Sequence, residues 1–321
     1  MTNKQKYREF CKNELDIPVF SKDWWLDAVS VNGEWDVALV EKGDKIVASM
    51  PYYFTKENKN ILISMPFLTQ TMGPYIKYPE NQKHYKKLSW EKELMSNLID
   101  QLPSFIFFRQ AFHHKITNWL PFYWKGFFSS IRYTYIINNL KSKRDDEILK
   151  DFTNAKRRDI KKASNIVQVK FDLSFEEFYK HHQTSLGKSG DKVAYSYEVF
   201  KNIYENSYKN NSGKSLYCID EDGNIHSALF IVWDKNSTYA LVTSLDPDFR
   251  SSGSLSLLFY EAIKLGREHS EVFDFEGSMI EYAEHSYRQF GGIQTPFMQI
   301  YKTNYPLSYK VKYILSRILG K

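Results

Sequence analysis

The sequence predicts an α/β (α+β) protein made of two similar units, each a mixed central sheet flanked by helices, with a cleft between them. Three observations carry this. The hairpin pattern DVALVEKGDKIVASMPYYF (Asp36 to Phe54) returns half a chain later as SLYCIDEDGNIHSALFIVW (Ser215 to Trp233). Each copy is two apolar runs around a tight turn at Gly43 or Gly223, with small residues (Ala48 and Ser49, or Ser227 and Ala228) in the second run. A repeat at this distance points to two copies of one unit. Strand-like and helix-like segments interleave along the chain, and 321 residues suffice for two domains of ordinary size.

The elements follow in order. SKDWWLDAVS (Ser21 to Ser30) predicts a helix with Ser21 at the N-cap. After the first hairpin, ILISMPFLTQTMGPYI predicts a strand entering a loop that turns at Gly73-Pro74. Leu88, Leu94, Met95, Leu98, Ile99 and Leu102 fall at helical spacing. SFIFFRQAF and RYTYIINNL predict short strands. Asp145 to Asn165 predicts one helix, acidic at its start and basic at its end as the helix dipole favours. VQVKFD predicts a strand, and SFEEFYKHHQTSL a helix with Ser174 and Glu177 at capping-box spacing. Another helix covers Tyr197 to Ser207. The second hairpin, the strand STYALVTSLD, a serine-rich turn, the helix LSLLFYEAIKLGREH, the strand EVFDFE, the helix IEYAEHSYRQF and the strand TPFMQIYK complete the chain. The polar stretch Lys141 to Asp146 marks the expected boundary, giving domains 1–143 and 144–321, the second opening on a basic linker helix.

Composition narrows the function classes. Hydrophobic residues make up 42% and charged residues 26%, which is globular and not disordered. The net charge of +6 is compatible with an anionic partner. Cys11 and Cys218 stand in unrelated contexts, so neither a disulfide framework nor a zinc site is expected. MTNKQKYREF has no apolar core, and no run is long enough to cross a bilayer. A cytoplasmic protein is expected. The last residues, YKVKYILSRILGK, form a short basic amphipathic pattern that suits either its own domain or the inner face of a membrane.

DFRSSGSL (Asp248 to Leu255) lies directly after a strand and before a helix. Arg250, Ser251, Ser252, Gly253 and Ser254 match five positions of [Q/R]-x-x-G-x-[G/A], and Leu255 replaces the small sixth residue. With the element order around it, the second half resembles the GNAT acyltransferase fold. Such a turn aims backbone N–H groups and the positive helix end at one point, where a pyrophosphate is held. An ordinary serine-capped helix start is the competing account.

EVFDFEGSMIEYAEHSYRQFGG (Glu271 to Gly292), together with the doubled pattern, resembles the FemABX-like peptidoglycan aminoacyl-ligases, a tandem GNAT-fold family. FLTQTMGPYI and ITNWLPFYWKGF resemble the first domain of that family, and TNAKRRDIKKA its basic connecting helix. The resemblance runs from about Ser21 to Pro306, and the short, arm-less members are the better comparison. It implies transfer of an aminoacyl group from charged tRNA to an amine of a cell-wall precursor. Related members are thought to use coenzyme A thioesters or to acylate other envelope sugars. Aminoacyl-tRNA or acyl-CoA would therefore be a co-substrate, with no tightly bound cofactor and no metal.

The resemblance also places an aromatic–Lys pair at Tyr301 and Lys302, whose ammonium would support a developing oxyanion. Asp274 and Glu276 alternate with Phe273 and Phe275, so period-2 geometry predicts both carboxylates on one strand face. Glu276 could align the amine or take its proton. Tyr287 stands where many GNAT enzymes keep a tyrosine that protonates the leaving group; packing between helix and strand is the alternative. Lys156, Arg157, Arg158, Lys161 and Lys162 form the densest positive cluster, in i, i+4 rows that suit phosphates or a solvated face. The adjacent pairs His113-His114 and His181-His182 diverge on any regular element and do not make metal-ligand spacing. Three functions stay open: an aminoacyl-tRNA-dependent N-acyltransferase, an acyl-CoA-dependent one acting on an envelope or nucleotide sugar, and a non-catalytic RNA- or precursor-binding protein.

Overall fold

The computed structural model describes residues 1–277 and 279–305. In chain order it contains α1 (Asn3–Asn13), α2 (Asp23–Val29), β1 (Glu34–Lys42), β2 (Lys45–Glu57), β3 (Asn60–Ser64), β4 (Tyr75–Ile76), α3 (His84–Asp100), β5 (Phe107–Ala111), α4 (Leu120–Trp124) and β6 (Phe128–Ile137). Then come α5 (Asp145–Asp151), α6 (Asn154–Ala163), β7 (Gln168–Phe171), α7 (Phe175–Lys188), α8 (Tyr197–Lys209), β8 (Gly213–Ile219), β9 (Ile225–Trp233), β10 (Ser237–Leu245), α9 (Ser254–His269), β11 (Val272–Asp274), α10 (Glu281–Arg288) and β12 (Ile293–Thr303). The basic C-terminal pattern beyond Tyr305 lies outside the described residues.

The chain forms two compact units, each drawn from separate segments. Of the described residues, the first holds 1–13, 30–132 and 297–305; the second holds 14–29 and 133–296. The chain passes from one to the other at Arg132 and Tyr133, inside β6 and ahead of the polar Lys141 to Asp146 stretch.

In the first unit the strands run β1-β2-β3-β5-β12, with β4 pairing β2. β1 and β2 are the predicted hairpin, antiparallel and turning at Gly43. β3 and β5 pair in parallel, so the sheet is mixed. Leu94, Met95, Leu98 and Ile99 of α3 lie at helical spacing and bury against Met50, Phe108 and Ile300. Burying each of these large side chains stabilises by about 1.5–3 kcal/mol. Phe112, Phe122 and Phe127 close the end of this core, with edge-on ring contacts at 5.0 and 5.3 Å.

In the second unit the order is β6-β11-β10-β9-β8-β7, parallel only between β10 and β11. The sheet is again mixed and flanked by helices, as the sequence predicts. α9 lies on one face, with Leu257, Leu258, Phe259, Ala262 and Ile263 buried against Leu229, Ile231 and Phe273. Phe178, Phe200 and Tyr204 of α7 and α8 pack on Phe230 from the other side. The segment 14–29 is bound into this unit by Asp234. The buried carboxylate accepts the Val19 N–H at 2.8 Å and also holds the Asn236 and Ser237 N–H groups.

The helix expected over 145–165 is two helices. Phe152 and Thr153 are extended, and the Thr153 hydroxyl caps α6 by accepting the Lys156 N–H. α1 has no signal in the sequence pattern. It is highly charged and buries only Tyr7 and Cys11, too sparse a stripe to read as a period.

Candidate active site

β11 stops at Asp274, and the chain then turns sharply. Glu276 adopts a left-handed backbone with φ +55°, uncommon for a residue with a side chain. The turn is held by a short network. The buried Asp274 carboxylate accepts the Thr134 hydroxyl and, at 2.8 Å, the Glu276 N–H. The Gly277 N–H donates to the Thr134 Oγ1, also at 2.8 Å. A side chain at Gly277 would overlap the backbone of Tyr133 and Thr134, so only glycine fits. This corrects the expected alternation. The strand ends before Glu276, and turn geometry rather than strand period sets where its carboxyl points.

Glu276 Oε1 is buried and has no hydrogen-bond partner among the described residues. Burial first, and then the neighbouring Asp274, raises its pKa well above its ordinary value, so the surroundings favour the neutral carboxyl. An unpaired buried polar atom on a strained backbone is a common mark of a functional position.

Tyr287 of α10 stacks over Phe275, with ring centres 5.3 Å apart, and meets Phe259 edge-on. Both the packing and the chemical account of this tyrosine are thus compatible with its place. Burial, followed by the field of Glu276, pushes its phenol up to about 12, so it stays protonated. Glu276 likewise contributes to raising Tyr195 and Tyr239, after burial. Tyr195 is a neighbour of the site that no sequence pattern singles out. It lies in a predicted loop, and only the fold brings it to Glu276. Its hydroxyl meets His182 Nε2 at 3.0 Å. His181 instead bonds Ser244 and the Ile225 carbonyl, so the adjacent histidines diverge as expected. Burial lowers the pKa of His182 to about 4. No group able to hold a metal ion is found among the described residues.

The turn before α9 is a 3-10 helix over Pro247–Ser252, then Gly253 with φ +81°. Arg250 and Ser251 are exposed, and Ser252 and Ser254 are buried. α6 is seated on this turn. A β-carbon on Gly253 would lie 2.5 Å from the Asp159 carbonyl oxygen. Lys162 Nζ donates to the Ser251 carbonyl at 2.6 Å, and the Ser256 hydroxyl donates to Asp159 Oδ2 at 3.2 Å. The Ser254 N–H is taken by the Ser252 hydroxyl. Gly253 therefore serves the close approach of two helices.

The cationic cluster on α6 divides by task. Arg157 reaches back to the Leu149 and Lys150 carbonyls at the end of α5. Lys156 contacts Ser286 and sits 4.6 Å over the Phe290 ring. Lys162 holds the α9 turn. Arg158 and Lys161 remain outward and, with Asn154 and Arg157, line an open concavity of about 480 Å³.

Tyr301 and Lys302 lie on β12 in the first unit. Tyr301 stacks on Phe128 at 5.8 Å. Lys302 Nζ donates to the Lys125 carbonyl at 2.7 Å and sits 4.9 Å over the Phe127 ring. An ammonium has three donors, so two remain.

No family model and no curated protein matches the sequence. Among solved structures, FemX is 12% identical over 93% of this chain and 96% of its own, with a TM-score of 0.66. The chain has a FemX-like fold. L-PGS from Bacillus licheniformis matches at 11% identity over 99% and 97%, TM-score 0.54. The C-terminal domain of a putative lysylphosphatidylglycerol synthetase from Agrobacterium fabrum matches at 8% over 98% and 96%, TM-score 0.54. In fold, this likeness agrees with the resemblance drawn from the sequence.

Proposed function

We propose that this protein is an N-acyltransferase that moves an aminoacyl group from a charged tRNA to an amine of a cell-wall or envelope precursor. The observation that supports the tRNA donor over acyl-CoA is the seat of α6 on the α9 turn. A coenzyme A pyrophosphate would need that turn, yet Asp159 presents both a carbonyl and a carboxylate to it. The Asp159 carboxylate repels a phosphate there, its carbonyl oxygen fills the space over Gly253, and the Lys162 ammonium is already bonded to the Ser251 carbonyl. The same helix turns Arg158 and Lys161 outward, where a polynucleotide backbone could run along them.

In the reaction a neutral amine attacks the aminoacyl ester carbonyl. A C–N bond forms, the ester C–O bond breaks, and the ribose oxygen leaves with a proton. Tyr287 remains protonated at neutral pH and suits the proton donor, recovering a proton from the new amide nitrogen. Glu276, whose surroundings favour the neutral form and whose buried Oε1 has no partner among the described residues, suits the alignment of the amine by hydrogen bonding. For Lys302 of the first unit, the oxyanion support that the resemblance implies is a separate proposal with its own substitution as its test.

The test is the affinity of the purified protein for charged tRNA at two salt concentrations, beside acetyl-CoA. Tight tRNA binding that falls steeply with salt is the expected result. Saturable acetyl-CoA binding without tRNA binding would replace this proposal with the acyl-CoA reading.

A further inference from the structure

The first unit carries an exposed aromatic and cationic surface that the acyl-transfer site does not use. On α4, Leu120, Tyr123 and Trp124 are 48, 59 and 56% exposed, although the helix is anchored underneath by the buried Phe122. α3 runs alongside. Asn118 bonds Glu91 at 2.8 Å, Lys125 bonds Asp100 at 2.6 Å, and Lys92 Nζ lies 5.1 Å over the Trp124 ring. One and two turns before Lys92, on the same α3 face, Leu88 and Tyr85 are 42 and 62% exposed. Apolar area concentrated in this way marks an interaction surface.

The charges around it point to the partner. The acids of α3 and its end are already engaged: Glu91 by Tyr78 and Asn118, Glu93 by Lys42, and Asp100 by Lys125. Lys83, Lys86 and Lys92 are exposed and carry no ion pair among the described residues. The surface is therefore Trp, Tyr and Leu inside a rim of unneutralised lysines. Trp and Tyr prefer the bilayer interface, where a ring is half in the acyl boundary and half in water. Lysines beside them add attraction to anionic headgroups. We infer that the α3–α4 face of the first unit docks on an anionic phospholipid surface. A nucleic acid would use the lysines but not the outward Leu88 and Leu120. The inference stands apart from the choice of acyl donor.

The test is co-sedimentation of the full chain with vesicles of phosphatidylcholine, with and without phosphatidylglycerol. Binding is expected only to the anionic vesicles and should weaken with salt. Trp124→Ser should lower the partition coefficient at least about fivefold, and Lys86→Glu or Lys92→Glu about fivefold each. All three positions are exposed, so folding, followed by circular dichroism, should be unchanged. Absence of binding to anionic vesicles would overturn the inference. So would binding that survives Trp124→Ser with Lys92→Glu but is lost when Lys310, Lys312 and Arg317 are reversed to glutamate, since this assigns it to the C-terminal segment. Concentration-dependent dimerisation abolished by Trp124→Ser, without vesicle binding, would give the face to a second copy of the chain and overturn it equally.

Discussion

The carbonyl oxygen of Asp159 lies 2.5 Å from where a β-carbon on Gly253 would stand. The glycine also has φ +81°, a conformation strained for any side chain. Gly253→Ala must therefore push α6 off the α9 turn and accept backbone strain together. We expect a loss of about 2 kcal/mol or more in denaturant unfolding. Unchanged stability would mean that α6 is not seated on the turn as described, and the turn would again be free for a phosphate.

The cationic helix separates into structural and solvent-facing charges, and substitution should separate them too. Arg158→Ala and Lys161→Ala should leave unfolding within about 0.5 kcal/mol of the parent, because neither side chain has a partner among the described residues. Each should reduce the salt slope of charged-tRNA binding by about one. Lys162→Ala should show the opposite split, losing the bond to Ser251 and about 1 kcal/mol of stability. Equal effects at all three positions on the salt slope would remove the distinction.

Much of this was legible in the sequence because it rests on local period. Both hairpins form where the alternation places them, as β1–β2 and β8–β9. Ser174 caps α7 as its spacing with Glu177 predicts. What was illegible depends on distant partners. A Gly at residue 253 fits a phosphate-holding turn and a close helix contact equally well, and only the position of Asp159 separates them. The break at Thr153 leaves the apolar spacing of Phe152 and Ile160 intact, so no period reports it. Sequence alternation puts Glu276 on a strand, because Asp274 and Glu276 alternate with Phe273 and Phe275. Its turn is imposed by Thr134, far earlier in the chain.

Lys302 is expected to act on turnover and not on donor affinity. Lys302→Ala should lower kcat about a hundredfold, the usual cost of removing one donor to an oxyanion. Donor binding should change little. The bond to the Lys125 carbonyl predicts a parallel stability loss of only about 1 kcal/mol. Turnover equal to the parent would take Lys302 out of the mechanism and leave it as a fastening between β12 and the chain after α4.

Glu276 offers a pH signature with a defined sign. Its folded pKa is raised, so the folded state favours the protonated form. Its contribution to stability is then fully present below the unfolded carboxylate pKa and is lost as pH rises from there through the raised folded value. Glu276→Gln keeps the shape and neutrality but cannot ionise. We expect this variant to lose that part of the decline in stability on going from acid to neutral and alkaline pH, and to be at least as stable as the parent at neutral pH. Because the proposed role is hydrogen bonding by a neutral group, Glu276→Gln should keep turnover within about tenfold, whereas Glu276→Ala should lose more. The two substitutions therefore report on different properties. A glutamine variant that is inactive yet folded would show that the carboxyl must ionise during the reaction, and would make Glu276 the base instead of the aligning group.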